Sequence, residues 1–240
     1  MVNNKLLLKL IEKKSITPRV YSLKFTLVEP NIFDFIPGQF ISIFIPQTEG
    51  KVLRRSYSLV NRPGADFEII YTYFQGGIAS EYFKNLQIGH SVHAVGPLGR
   101  FVVNIPAAGK YIGVATGTGI GPFISMIKSG VFKGADLEMI FGCRGPNDSI
   151  CENLARDFGV NLDDCNLTKC YSRHDKTQSD SFNGYVQNKL KTIDVNVSED
   201  KFYLCGHPKM VEEASAYLLG MGVNKSNLIK EKYVVAGLNI

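Results

Sequence analysis

Thr116-Gly117-Thr118-Gly119-Ile120-Gly121-Pro122 decides how this chain is read. It follows a strand-like run, Lys110-Tyr111-Ile112-Gly113-Val114-Ala115, and leads into an apolar segment of helical spacing, Phe123 to Ile127. A glycine-rich turn between a strand and a helix N-terminus lets backbone N–H groups approach a pyrophosphate. It also points the positive end of the helix dipole at that charge. Pro122 suits a first helical turn, where its missing N–H is not needed. The turn lies near the middle of the chain, so something other than a dinucleotide fold occupies the N-terminal half.

Downstream of the turn the rhythm is strand, turn, helix. Strands are expected at Tyr111 to Ala115, Leu137 to Gly142, Asn166 to Ser172, Phe202 to Cys205 and Leu228 to Tyr233. Helices fit Pro122 to Ser129, Ile150 to Phe158, Gly184 to Lys191 and Pro208 to Leu219. Such alternation implies a doubly wound α/β domain with a parallel sheet. Upstream, short apolar alternations are punctuated by Pro37-Gly38, Glu49-Gly50, Arg62-Pro63-Gly64, Gly76-Gly77 and Gly96-Pro97-Leu98-Gly99. Candidate strands are Val20 to Val28, Phe40 to Ile45, Arg55 to Val60, Phe67 to Phe74 and Ser91 to Val95, the pattern of an antiparallel β-barrel or sandwich. One helix, Ser80 to Leu86, is expected to interrupt it with Ser80 as N-cap. The boundary falls near Pro106-Ala107-Ala108-Gly109, giving domains 1–106 and 107–240.

The bulk properties agree with two modest domains: 240 residues, 45% hydrophobic and 20% charged. No apolar run reaches the length of a membrane span, and the charged start is a poor signal peptide, so no membrane association and a cytoplasmic location are expected. The net charge of +5 is spread along the chain without a basic block, which argues against nucleic acid and mildly favours acidic partners. The five cysteines, Cys143, Cys151, Cys165, Cys170 and Cys205, match neither a zinc nor an iron–sulfur spacing. Buried or half-buried thiols in a reducing compartment, and no metal, are expected.

In a doubly wound sheet, ligands bind beyond the carboxyl ends of the strands. Those ends carry Thr116 to Gly119, Cys143-Arg144, Ser172-Arg173 and Cys205-Gly206-His207-Pro208. The glycine turn suits a pyrophosphate, and Arg144 with Ser172-Arg173 suits an additional phosphate. No acidic residue ends the second strand, which favours NADP over NAD. In the N-terminal half, Arg55-Ser56-Tyr57-Ser58 would place Arg55 and Tyr57 on one strand face, for a phosphate and a planar ring, with Ser56 and Ser58 on the other. Gly76-Gly77-Ile78-Ala79-Ser80 offers a second phosphate site at a helix start.

These segments resemble the ferredoxin–NADP+ reductase family, bacterial type. Arg55 to Ser58 is similar to its R-x-Y-S flavin motif, Gly77 to Ser80 to its G-x-x-S motif, and Gly117 to Pro122 to its pyridine-nucleotide turn. Cys205-Gly206-His207-Pro208-Lys209-Met210 is similar to its C-G-x-P-x-M segment, and Glu231-Lys232-Tyr233 to its acidic-aromatic C-terminal segment. The resemblance implies a six-stranded FAD barrel before an NADP domain, and a monomer passing electrons between NADPH and ferredoxin or flavodoxin. It implies that Tyr57 stacks on the isoalloxazine, Arg55 binds the FAD pyrophosphate, and Ser58 lies near flavin N5. Ser56 belongs to the same strand motif, and Gly77, Ile78, Ala79 and Ser80 cap the phosphate. Thr116, Gly117, Thr118 and Gly119 would hold the NADP pyrophosphate, with Cys205 and Glu231 near the nicotinamide and Tyr233 among the cofactor-binding residues. Arg144, Ser172 and Arg173 resemble the clamp on the 2′-phosphate.

The chain departs from the family pattern in places. Tyr185 follows Gly184 where bacterial relatives add an arginine, with Lys176 as a substitute cation, and Val234 follows Tyr233 where an aromatic often stands. Gly96-Pro97-Leu98-Gly99-Arg100-Phe101 is a form common in reductases of oxygenase systems. Two alternatives therefore stand beside a carrier reductase: an NAD(P)H-dependent flavin reductase or oxygenase reductase component, and a non-catalytic nucleotide-binding subunit of a larger electron-transfer complex.

Overall fold

A computed structural model describes residues 5–29, 33–103, 106–161, 165–174 and 181–233. Lys176 and Val234 lie outside the described residues. The chain divides into two compact units. Of the described residues, one unit runs to Val102 and takes in Gly121–Ser129; the other comprises Val103–Ile120 and those from Gly130 to Tyr233.

The first unit is built from six antiparallel strands: β1 (Lys5–Ser15), β2 (Val20–Glu29), β3 (Phe40–Pro46), β4 (Val52–Ser58), β5 (Asp66–Thr72) and β6 (Ser91–Leu98). Their order is β4-β3-β6-β1-β2-β5. The two outer strands meet where Leu59 bridges Ile69, and the Val60 N–H donates to the Glu68 carbonyl at 2.9 Å, so the sheet closes into a barrel. β1 was not among the strands expected from the sequence. Its alternation is clean only through Leu6, Leu8 and Leu10, which are buried; a register shift between Leu10 and Glu12 then reverses the phase. Helix α1 (Ile78–Asn85) contributes the fully buried Phe83 to the barrel core.

Helix α2 (Gly121–Lys128) lies past the expected boundary in sequence yet packs in this first unit. Residues 121 to 127 are all buried, so it has no solvated face. Its Ser125 hydroxyl donates to the Asn61 carbonyl at 2.7 Å, and Phe123 meets Phe101 edge-on at 5.5 Å.

The second unit has six parallel strands: β7 (Tyr111–Thr116), β8 (Leu137–Cys143), β9 (Asn166–Tyr171), β10 (Ser181–Asn183), β11 (Lys201–Gly206) and β12 (Leu228–Lys232). The order β10-β9-β8-β7-β11-β12 shows the chain winding outward from β7, then returning to continue on β7's other side. That reversal makes a crevice at the carboxyl ends of β7 and β11. β7 is buried from Tyr111 to Ala115 and β11 from Phe202 to Gly206, as expected for strands covered on both faces. Asp200 anchors the opposite end: its buried carboxylate accepts the N–H groups of Lys110 and Asn196, each at 2.8 Å.

The helices differ in detail from expectation. α3 (Leu154–Phe158) is preceded by a separate 3-10 turn at Ile150–Asn153, α4 is shorter (Val186–Leu190), and α5 spans Pro208–Gly220. Strand β10 was not foreseen; three residues are too short to display a period.

Candidate functional site

In the first unit, β4 alternates as the sequence predicts over most of its length. Leu53, Arg55 and Tyr57 are half-buried, while Arg54 and Ser56 are exposed. Ser58 departs from this: it is buried, because the strand there reaches the barrel closure at Leu59. Ser56 shares a 2.8 Å hydrogen bond with Ser42, its cross-strand partner. The Tyr57 ring meets Phe83 of α1 edge-on at 5.3 Å. Burial pushes the Tyr57 phenol well above its ordinary range; the Arg55 guanidinium pulls the other way, and Tyr71 adds to the rise. Tyr57 is therefore a neutral, fixed ring beside a cation.

The start of α1 corrects one expectation. Gly77, not Ser80, is the N-cap, and it caps without a side-chain bond. The Gly77 N–H donates to the Phe74 carbonyl at 3.0 Å, so the chain turns early and Ser80 falls inside the first helical turn. There its buried hydroxyl accepts the Phe74 N–H at 3.0 Å. The first intrahelical bond is from Glu81 N–H to the Gly77 carbonyl, at 2.9 Å. The N–H groups of Ile78, Ala79 and Ser80 precede it, and a phosphate is the kind of acceptor such groups take. Glu81 Oε1 accepts from the Tyr73 hydroxyl at 2.5 Å and from the Gly76 N–H at 3.3 Å.

In the second unit, the glycine turn is a 3-10 turn, Gly117–Ile120, at the end of β7. It lies tight against β11. A Cβ on Gly119 would come 2.5 Å from the Cys205 carbonyl oxygen, and one on Gly206 (φ +133) would come 2.3 Å from Thr116 Oγ1. Only glycine allows this approach. Thr116 Oγ1 in turn accepts the His207 N–H at 3.0 Å, joining the two strand ends at the crevice. His207 caps α5 by accepting the Lys209 N–H at 3.2 Å on Nδ1, with Pro208 at the first helical position. This role of His207 was missed, although a capping residue before Pro208 was a readable signal.

Beyond β11, Cys205 pairs in register with Glu231, and the Tyr233 N–H donates to the Gly206 carbonyl at 2.7 Å. Cys205 is fully buried. Burial holds its thiol well above the usual range, the Glu231 charge adds to this, and a hydrogen bond with Tyr233 opposes it. On the other side of β7, the Arg173 N–H donates to the Arg144 carbonyl at 2.8 Å, and the Ser172 N–H and hydroxyl both donate to the Cys143 carbonyl, at 3.0 and 3.2 Å. Both arginine side chains are exposed. Tyr185, also exposed, opens α4 on the same edge, where the Gly184 N–H donates to the Tyr171 carbonyl at 2.9 Å.

One carboxyl edge thus carries, in spatial order, Arg173 and Ser172, Arg144, Thr116 to Gly119, Cys205 to His207, and Glu231 to Tyr233. At about 4.8 Å per strand, the row extends roughly 19 Å from β9 to β12, the scale of an extended dinucleotide. The residues present fit such a ligand: a turn with glycine at 117 and 119, two exposed cations at one end, and a carboxylate at the other. Among the described residues, no helix is long and apolar enough to cross a membrane, and the five cysteines are free thiols.

Two family models match successive parts of the chain. An oxidoreductase FAD-binding domain model matches residues 7–103, and an oxidoreductase NAD-binding domain model matches residues 114–216. Ferredoxin–NADP reductase B of Sorangium cellulosum is 28% identical over 94% of this chain and 96% of its own length. The toluate 1,2-dioxygenase electron transfer component of Pseudomonas putida is 26% identical over 86% of this chain, which spans only 61% of that relative. Among solved structures, a ferredoxin NADP+ reductase from Neisseria gonorrhoeae with bound FAD and NADP superposes with a TM-score of 0.82. It is 20% identical, with 95% of this chain and 98% of that one covered. With both domain models matched in order along the chain, it belongs to the ferredoxin–NADP reductase-like family of FAD- and NAD(P)-binding oxidoreductases.

Proposed function

We propose that the protein carries electrons between NADPH and a one-electron carrier, ferredoxin or flavodoxin, through FAD. The observation that carries this reading is the ordered row from Arg173 to Glu231 along one sheet edge. FAD would supply the chemistry, accepting a hydride at N5 and releasing single electrons. The chain's own residues bind and orient. Tyr57 offers a neutral ring face and Arg55 a positive charge, and the first-turn N–H groups of α1 receive phosphate. Ser58 offers a hydroxyl near the flavin N5 position. Thr116 to Gly119 receive the NADP pyrophosphate, while Arg144, Ser172 and Arg173 take the 2′-phosphate. Glu231 would position the nicotinamide and exchange protons with solvent, with Cys205 its register partner on β11.

A second reading is favoured by the relatives. The toluate dioxygenase component and the propane 2-monooxygenase reductase component of Gordonia both extend well beyond this chain, which covers 61% and 64% of them. In that reading the electrons go to an oxygenase system. The test is the purified protein with FAD, assayed with NADPH and NADH against ferredoxin, flavodoxin and free FMN across a salt series. Carrier turnover that prefers NADPH and falls steeply with salt supports the proposal. Negligible carrier turnover alongside rapid FMN reduction overturns it.

A further inference from the structure

We propose that Lys13 is a positioning residue for flavin binding: from β1 it fastens the C-terminal end of α1 and thereby aims the helix's opening turn at the flavin phosphate. The proposal rests on the reading of the first unit as the FAD site. Lys13 Nζ donates to two last-turn carbonyls of α1, Phe83 at 2.8 Å and Lys84 at 2.6 Å, seventy residues away in sequence. Helix ends leave their final carbonyls without partners, and an ammonium is a strong partner for them.

The bulge in β1 is what makes this reach available. Leu6, Leu8 and Leu10 point inward; after the register shift between Leu10 and Glu12, an odd-numbered residue takes the inward face, and that residue is Lys13. Without the extra residue, Lys13 would share the outward face of Lys5 and Lys9. Burial, and the nearby Lys84 charge, lower the Lys13 pKa. The charge is thus held in a place that does not favour it, and the two carbonyls compensate.

The helix it fastens is short. α1 has eight residues, about 12 Å of length. Near its start, Glu81 takes the Tyr73 hydroxyl and Ser80 takes the Phe74 N–H. In its middle, Phe83 sits in the core against Tyr57 at 5.3 Å and Tyr71 at 5.1 Å. Lys13 grips the carbonyl of that same Phe83. A rod so short tilts as a whole when one end is released, and the N–H groups of Ile78, Ala79 and Ser80 tilt with it.

The experiment compares Lys13→Arg, Lys13→Gln and Lys13→Met in the full chain. Dissociation constants for riboflavin, FMN and FAD are measured beside the melting temperature of the flavin-free protein. Riboflavin lacks the phosphate, so it reports ring stacking alone. The expected result is a graded loss, with Met worst and Arg mildest, reaching about tenfold for FMN and FAD while riboflavin binding stays unchanged. Equal losses for all three flavins would mean general loosening and would overturn the proposal, as would unchanged FAD affinity in Lys13→Met. If Lys13→Met fails to fold, Lys13→Gln decides by the same ratio. A wild-type protein that binds no flavin would overturn the FAD reading itself, before any variant is made.

Discussion

Replacing Gly119 by alanine tests whether the glycine turn is seated against β11 as described. The added Cβ would lie 2.5 Å from the Cys205 carbonyl oxygen, 2.6 Å from Gly206 Cα and 2.8 Å from the Cys205 carbonyl carbon. Ordinary carbon contacts are about 3.5–4.0 Å, so the turn must retreat by roughly 1 Å. All three neighbours are backbone atoms of a buried strand and cannot swing aside as a side chain would. Overpacking of this kind costs about 1–3 kcal/mol. The same displacement draws the turn's N–H groups away from a pyrophosphate, and hydrogen bonds to charged groups are worth about 1.5–3 kcal/mol each. With about 1.4 kcal/mol per factor of ten, NADPH affinity should fall tenfold or more. The assay is urea unfolding together with separate titrations of NADPH and FAD, with Gly220→Ala as control because nothing lies within 4 Å of a Cβ there. FAD binding should be retained, since the residues assigned to it belong to the other unit. A Gly119→Ala protein with wild-type stability and an NADPH dissociation constant unchanged within about twofold would refute the reasoning.

Three further outcomes are expected. Arg144→Ala and Arg173→Ala should each weaken NADPH by about ten- to a hundredfold and leave NADH nearly unchanged, because only NADPH carries the additional phosphate; equal losses for both nucleotides in steady-state kinetics would remove the clamp. Tyr57→Phe should keep FAD affinity within about threefold and Tyr57→Ser should lose tenfold or more, since the ring face rather than the hydroxyl is offered; fluorescence titration decides, and a severe loss in Tyr57→Phe would point to the hydroxyl. Stability should fall at alkaline pH. The Cys205 thiol is raised by burial, and the Tyr71 and Tyr203 phenols are pushed up to about 12. Raised groups stabilise fully below their unfolded pKa, near 9 for thiol and 10 for phenol, and that contribution is lost as pH climbs through the folded values. The unfolding free energy from urea titrations should decline from about pH 9 upward by as much as about 1.4 kcal/mol per pH unit per group, and less steeply in Cys205→Ala. A midpoint that stays flat to about pH 11 would contradict the burial of these groups.

The parallel sheet was readable because burial on both faces leaves β7, β8 beyond Glu138 and β11 beyond Lys201 as nearly continuous apolar runs punctuated by glycine. Little else in a soluble chain looks like that. The barrel was less legible for a definite reason. β1 obeys a period of two only as far as Leu10, and the bulge that breaks the period also gives Lys13 its inward position. A pattern search discards the irregularity that matters. The misplaced cap at α1 has a similar cause. Ser80 before an apolar stretch is a plausible N-cap, but the Gly77 N–H bond to Phe74 starts the helix earlier and needs no side chain. Helix α2 shows a third limit. Its sequence marks it as helical, whereas its membership of the first unit depends on contacts with Asn61 and Phe101 that no local pattern encodes.

Residue types at strand ends were enough to collect the residues that share one carboxyl edge, but not to say what each would do there. Cys205 is the clearest case. By resemblance it stands near the nicotinamide, and a cysteine in such a place invites a nucleophilic or acid–base role. Its complete burial and its register pairing with Glu231 argue otherwise. Both effects disfavour a thiolate, so the sulfur keeps its proton and cannot act as a base at neutral pH. What remains is shape. Cys205 is buried on β11, between β7 and β12, and its carbonyl leaves Gly119 no room for a side chain. Under the proposed function, proton exchange at that end of the row would fall to Glu231, the partly accessible member of the pair. Cys205→Ala should accordingly retain hydride transfer where Glu231→Gln does not.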